Sequence, residues 1–88
     1  MTAIGKTGAE ITAINAKLAA LTAAQISAIF TNAGMGAAAK RHGNVNNQLR
    51  CGQIDVVVGT LKAGCAGRSI KDARRLLRKA LREEGIDV

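Results

Sequence analysis

The sequence contains no tryptophan, tyrosine or proline, and its one aromatic side chain is Phe30, which helical spacing assigns to the core. Modules that bind single-stranded nucleic acid stack bases on aromatic rings, and interfacial membrane binding favours Trp or Phe beside cations. No apolar run approaches the roughly 18 residues of a membrane span, and the first eight residues are too polar for a signal peptide. We therefore expect a cytoplasmic protein that does not bind membranes.

Groups that perform catalysis or hold metals are also scarce. Cys51 and Cys65 form no CxxC pair, and His42 is the only histidine, so the sequence offers no zinc ligand set. Without a secretion signal, both cysteines are expected to be free, small, buried thiols in a reducing compartment. The carboxylates do not form the inward pair that acid–base catalysis needs. We expect no metal, no cofactor and no enzymatic activity.

Many of the apolar residues are too small to contribute much to a hydrophobic core. Of the residues in the 48% apolar fraction, 17 are alanine, and the chain has only 88 residues. A chain of this length forms one domain, here residues 1–88, with a marginal core. Because association would bury further apolar area, a homodimer is a reasonable expectation.

Two capping boxes mark the first helices. Thr7 with Glu10 and Thr22 with Gln25 have the Ser/Thr-x-x-Glu/Gln pattern in which side chains and backbone satisfy each other. Behind each box, large apolar residues recur at helical steps. They are Ile11, Ile14, Leu18 and Leu21 in the first helix, and Ile26, Ile29 and Phe30 in the second. Gly34 is a natural end for the second helix. Since alanines permit close approach, we expect the two helices to form a hairpin.

The middle of the chain predicts shorter elements. Residues 35–42 are expected to form a short helix closed by Gly43, with Asn44 as the N-cap of a helix over 45–51 that ends at Gly52. Residues 53–64 fit either a helix or a strand. Three consecutive valines favour a strand, whereas Lys62 before Gly64 favours a helix, which is the interpretation we prefer.

The last helix is the best defined. Ser69 and Asp72 are expected to cap it and Gly85 to end it, with a short extended tail over residues 86–88. With the preceding segments, this predicts an all-α fold: a compact bundle of four to five short helices.

Positive charge is concentrated in the second half of the chain. The net charge is +7. Residues 40–82 carry eleven Lys or Arg against two Asp, a net of +9, while residues 1–39 carry +1 and residues 83–88 carry −3. Such asymmetry is typical of a protein that meets phosphate or an acidic surface, although a basic domain without an anionic partner is the alternative.

The last helix separates its apolar and basic residues onto opposite sides. At 100° per residue, the apolar stripe spans one side and six cations the other. The stripe comprises Ile70, Ala73, Leu76, Leu77, Ala80 and Leu81; the cations are Lys71, Arg74, Arg75, Arg78, Lys79 and Arg82. No carboxylate of this helix lies within the basic arc, so we expect all six cations to point outward together. Their mutual repulsion indicates an anionic partner.

The segment around residues 39–50 is a candidate for contacts with bases. Ala39 and Gly43 have the spacing of the turn in a helix-turn-helix motif, although His42 and Asn44 stand where that motif has aliphatic residues, so we assign no family. The polar residues that follow are of the kinds that contact base edges. The candidate contacts are Lys40, Arg41, Asn46, Asn47 and Arg50. A polar connection rich in turn-forming residues is the alternative.

These observations predict a small basic nucleic-acid-binding protein, a DNA-binding regulator or accessory factor, whose last helix contacts phosphates of duplex DNA or structured RNA. The alternative is a protein-binding adaptor or inhibitor from a mobile genetic element, similar in kind to an anti-CRISPR protein. Its basic helix would bind an acidic protein surface on a host nucleoprotein complex.

Overall fold

The structure is a computed structural model that describes residues 7–61 and 69–88, in which three quarters of the residues are helical and none lies in a strand. The helices are α1 (Gly8–Ala19), α2 (Ala23–Asn32), α3 (Gly36–Arg41), α4 (Val45–Arg50), α5 (Ile54–Leu61) and α6 (Ile70–Glu83). The predicted all-α class is confirmed, with one helix more than expected. The ambiguous segment is helical where it is described, because α5 buries a one-sided apolar face.

Both predicted capping boxes are present. The Thr7 hydroxyl accepts the backbone N–H of Glu10 at 3.1 Å, and the Glu10 carboxylate accepts the Thr7 N–H at 3.2 Å. Thr22 and Gln25 repeat the arrangement at 3.1 and 2.9 Å. These bonds satisfy backbone donors that a helix leaves without internal partners, so α1 and α2 begin where the sequence predicts.

Two glycines end their helices as predicted. Gly34 after α2 and Gly85 after α6 have φ angles of 78° and 86°, a left-handed conformation that a β-carbon disfavours. After α6, the N–H of Ile86 bonds to the Leu81 carbonyl at 3.0 Å, which is the long bond of a Schellman motif. Ile86 and Leu81 are both buried, so this turn folds the C-terminal tail onto the core.

The core is built from apolar side chains of all six helices and the tail. Its largest fully buried members are Phe30, Leu18, Ile26, Ile29, Met35, Leu49, Leu61, Leu77, Leu81, Val45, Val57 and Val58. Within the described ranges no polar or charged residue is buried. The predicted core position of Phe30 is confirmed at 1% exposure. Specificity of packing therefore rests on shape, while hydrogen bonds lie at helix ends and on the surface.

The predicted hairpin of α1 and α2 is wrong. The two helices meet at a bend of 104°, and α1 packs on α4 while α2 packs on α3 and α6. Leu18 of α1 and Leu21 in the connection that follows it are buried in the core, and the Arg50 Nε–H donates to the Leu21 carbonyl at 3.0 Å. This bond fixes the corner between the helices, which alanine content alone could not reveal.

Several smaller expectations also need correction. Cys51 is exposed because it is the C-cap of α4, and Cys65 lies outside the described residues, as does the predicted end of α5 at Lys62 to Gly64. Asn44 precedes α4 but makes no side-chain capping bond. Ile11 is 48% exposed, and residues 8–13 at the start of α1 are all exposed.

No single helix of the described ranges is long and apolar enough to cross a bilayer, although α1 and α2 taken together meet a length and composition criterion across their 104° bend.

Candidate anion-binding face on the last helix

The orientation of α6 is fixed by its buried side. Ala73, Leu77, Ala80 and Leu81 are at most 1% exposed and pack against α5 and α2. The Ser69 hydroxyl accepts the Asp72 N–H at 3.1 Å, so the predicted N-cap is confirmed. Ile70 is 42% exposed and Leu76 is half-buried, so the apolar stripe is narrower than the sequence predicts. A helix held on one side by core packing presents its other side in a fixed geometry.

Four cations form a row along the exposed side of α6, and we call this row the basic stripe. It consists of Lys71, Arg75, Arg78 and Arg82, all exposed. They follow one another at intervals of four, three and four residues, so they lie on one side of the helix over about 16 Å at about 1.5 Å per residue. The four side chains line one shallow cleft of about 390 Å³. The stripe therefore concentrates positive charge on a continuous, accessible surface.

Arg74 departs from the expected outward orientation. Its side chain is 36% exposed, and its Nε lies 2.7 Å from Oδ1 of Asp55 on α5. The N–H is not aligned with the oxygen, so the contact is an ion pair rather than a directed hydrogen bond. The prediction that no carboxylate lies within the basic arc took account only of the residues of α6. Asp55 reaches it from the neighbouring helix, and periodicity within one helix cannot show this.

Two members of the stripe have weak local contacts. Arg75 Nη2 lies 3.9 Å from an Asp72 carboxylate oxygen, at the outer limit of an ion pair, and the Arg82 Nε–H donates to the Val88 carbonyl at 3.0 Å. Lys71 and Arg78 have neither a hydrogen bond nor an ion pair with any residue that the structure describes. All four guanidinium or ammonium groups therefore retain donors for an external anion.

Lys79 lies apart from the stripe. It lines a separate cleft of about 450 Å³ on the α2 side of α6, together with Asn32 and the acidic Glu83. This cleft has one cation beside one carboxylate, whereas the cleft of the stripe has five cations beside the single carboxylate Asp72, so the stripe is better suited to anions.

The segment around residues 39–50, the candidate for contacts with bases, spans α3, α4 and the turn between them. Its side chains do not line the cleft of the basic stripe. Lys40 and the half-buried Asn46 line a small cleft of about 110 Å³ among α2, α3 and α4, which also reaches Phe30. Arg41 is exposed and its Nε–H donates to the Ala37 carbonyl of its own helix at 3.4 Å. The cleft of the basic stripe is instead lined by α6 alone, and Arg78 also lines a second cleft with α5 and the residues just before it.

Three of the four polar side chains of α4 have partners within the protein. Arg50 donates to the Leu21 carbonyl and, at 3.2 Å, to the Asn47 side-chain oxygen. The Gln48 side-chain oxygen accepts the Thr60 hydroxyl at 3.3 Å. A helix that inserts into a groove needs side chains directed at the bases, whereas Arg50 and Gln48 of this six-residue helix bond to the connection between α1 and α2 and to α5.

Comparison with protein-family models, with curated proteins and with solved structures gives no significant match for this chain.

Proposed function

We propose that this protein binds duplex nucleic acid, DNA or structured RNA, through the phosphate backbone and that the basic stripe of α6 is the contact surface. The observation that carries the proposal is the stripe itself. Four exposed cations stand in a row of about 16 Å on a helix whose opposite side is anchored in the core.

The chemistry of the stripe suits phosphate. Three of its four members are arginines, whose planar guanidinium presents two parallel donors to a phosphate or carboxylate. A continuous row of phosphates stabilises a row of cations that otherwise repel one another. The only aromatic ring, Phe30, is buried, so stacking on unpaired bases has no platform. A duplex backbone demands only cations and small polar groups.

Binding through the stripe is independent of base sequence in this proposal. The stripe contains only Lys and Arg, and phosphate contacts position a protein without reading sequence. The amide side chains of α4, which could read base edges, bond within the protein or lie in a different cleft. This favours an accessory role over that of a sequence-reading regulator.

The experiment measures affinity for a fluorescent duplex of about 20 base pairs at several salt concentrations. If the four cations each neutralise one phosphate, the log of affinity falls against the log of salt with a slope near −3.6, at roughly 0.9 per contact. The Arg75→Gln/Arg78→Gln variant is expected to lower affinity about 60-fold at 0.1 M salt and to reduce the slope by about 1.8. A shuffled duplex of the same length is expected to bind within about two-fold of the original.

The matched control is Lys40→Gln/Arg41→Gln, which removes the same charge from α3. It is expected to bind within about three-fold of the parent, because long-range charge effects are screened beyond about 10 Å at 0.1 M salt. Equal losses in the two variants would show a net-charge effect and contradict the assignment to α6. If the parent binds no duplex but retains a protein partner from nuclease-treated lysate, the acidic-protein alternative replaces this proposal.

A further inference from the structure

We propose that the Asp55 carboxylate competes with the phosphates of the partner for Arg74. By pairing with Arg74, it limits the anion-binding face to the four cations of the basic stripe. This inference rests on the proposed function and deepens it, because it names the residue that sets the affinity of the same site.

The position of Asp55 carries the inference. Its carboxylate lies 2.7 Å from Arg74 Nε, yet its side chain is 73% exposed, so the negative charge stands at the surface. Asp55 also lines a cleft of about 240 Å³ with Arg78, while Arg74 and Arg78 both line the cleft of the basic stripe. The carboxylate therefore contacts Arg74, which lines the cleft of the stripe, and shares a second cleft with Arg78, and both arginines would otherwise face the same anion.

A carboxylate and a phosphate oxygen accept hydrogen bonds from guanidinium groups in the same manner. While Asp55 holds Arg74, that arginine releases no counterion when a duplex binds, and the nearby negative charge weakens the attraction of Arg78 for phosphate. The Asp55 carboxylate is exposed, so its charge contributes little to folding stability, although the Arg74 Nε that it faces is buried. A neutral side chain that keeps an oxygen beside this Nε is therefore expected to leave the helix pair folded and to change mainly the charge of the surface.

The test compares Asp55→Asn with the parent in the duplex assay. Asparagine keeps the size of the side chain and removes the charge. If Arg74 then joins the contact surface, affinity rises by roughly eight-fold at 0.1 M salt and the slope steepens by about 0.9, the increment for one further phosphate. The matched control is Glu84→Gln, which makes the same change in net charge ten residues, or about 15 Å, along the helix axis from Arg74, in a different cleft that Lys17 also lines. It is expected to bind within about two-fold of the parent.

Two further variants assign the effect to Arg74. Arg74→Gln alone is expected to lower affinity by less than about three-fold, whereas Arg78→Gln lowers it by roughly eight-fold. Asp55→Asn/Arg74→Gln is expected to bind within about three-fold of the parent, because the cation that Asp55→Asn releases is then missing. Circular dichroism of each variant establishes that the helical fold is retained.

The outcomes separate this inference from the proposed function. Absence of duplex binding by the parent would overturn the proposed function and this inference with it. Duplex binding by the parent, together with equal affinity and slope for Asp55→Asn, would overturn this inference alone. Equal gains in Asp55→Asn and Glu84→Gln would also overturn it, since the gain would then be a general effect of net charge.

Discussion

α4 and α6 both carry arginine among their polar side chains and use it in opposite ways. On α6 the arginines of the basic stripe point away from the core, and their contacts with the rest of the protein are few and weak. On α4 Arg50 donates to the carbonyl of Leu21, 29 residues away, and Gln48 accepts from Thr60 on α5. A cation in the first setting is available to a partner, whereas a cation in the second is part of the fold.

The difference follows from helix length and packing. α6 has 14 residues and one buried side, so its opposite side is exposed over four turns. α4 has six residues and lies between α1 and α5, so its short surface is shared with neighbours on two sides. The number of side chains that a short helix leaves for a partner is therefore small, whatever its composition.

The largest expected effect concerns what holds α6 in place. Leu77→Ala removes a fully buried side chain from the centre of the apolar stripe, and the cavity is expected to lower the free energy of unfolding by about 2–5 kcal/mol. Leu76→Ala is the matched control, since Leu76 is only half-buried at the edge of the stripe, and its cost is expected to be smaller. Urea unfolding followed by circular dichroism measures both. Equal costs would contradict the stated orientation of α6.

An arginine from each helix distinguishes the two settings directly. Arg50→Gln removes the charged donor to the Leu21 carbonyl and is expected to lower unfolding free energy by about 1.5–3 kcal/mol, with duplex affinity within about two-fold of the parent. Arg78→Gln is expected to change stability by less than about 0.5 kcal/mol while lowering affinity. Stability and affinity are measured on the same preparations. If Arg50→Gln is folded but has lost affinity for the duplex, α4 is part of the contact surface.

Much of the fold could be predicted because its signals are local. Capping boxes, glycine helix ends and the apolar periodicity of α6 depend on residues within about four positions of each other. The structure contains both capping boxes, the glycine ends at Gly34, Gly52 and Gly85 and the buried side of α6 where predicted, whereas Gly43 after α3 does not have a left-handed φ. The hairpin of α1 and α2 failed because the angle between helices depends on long-range contacts such as Arg50 with Leu21. No local pattern encodes that bond.

The candidate site divides in the same way. The exposed positions of Lys71, Arg75, Arg78 and Arg82 follow from the helical period of α6. The pairing of Arg74 with Asp55 does not follow from this period, because the two residues lie on different helices and periodicity within one helix does not predict contacts with another. One signal was available: Arg74 lies only about 20° from Leu81 around the helix, nearer the apolar stripe than any other cation. A cation at the edge of the apolar stripe lies nearest to the neighbouring helix and is therefore the one best placed to pair with a carboxylate there.

The smallest expected effect concerns the N-caps of α6 and α4, which differ in whether the side chain makes a capping bond. Ser69 accepts the Asp72 N–H at the start of α6, and Ser69→Ala is expected to lower the free energy of unfolding by about 1 kcal/mol. Asn44 stands at the corresponding position of α4 with α-helical φ and ψ angles and makes no capping bond, so Asn44→Ala is expected to change stability by no more than about 0.3 kcal/mol. Urea unfolding of the two variants beside the parent resolves this difference. If Asn44→Ala costs as much as Ser69→Ala, Asn44 caps α4 in solution and the two helices begin alike.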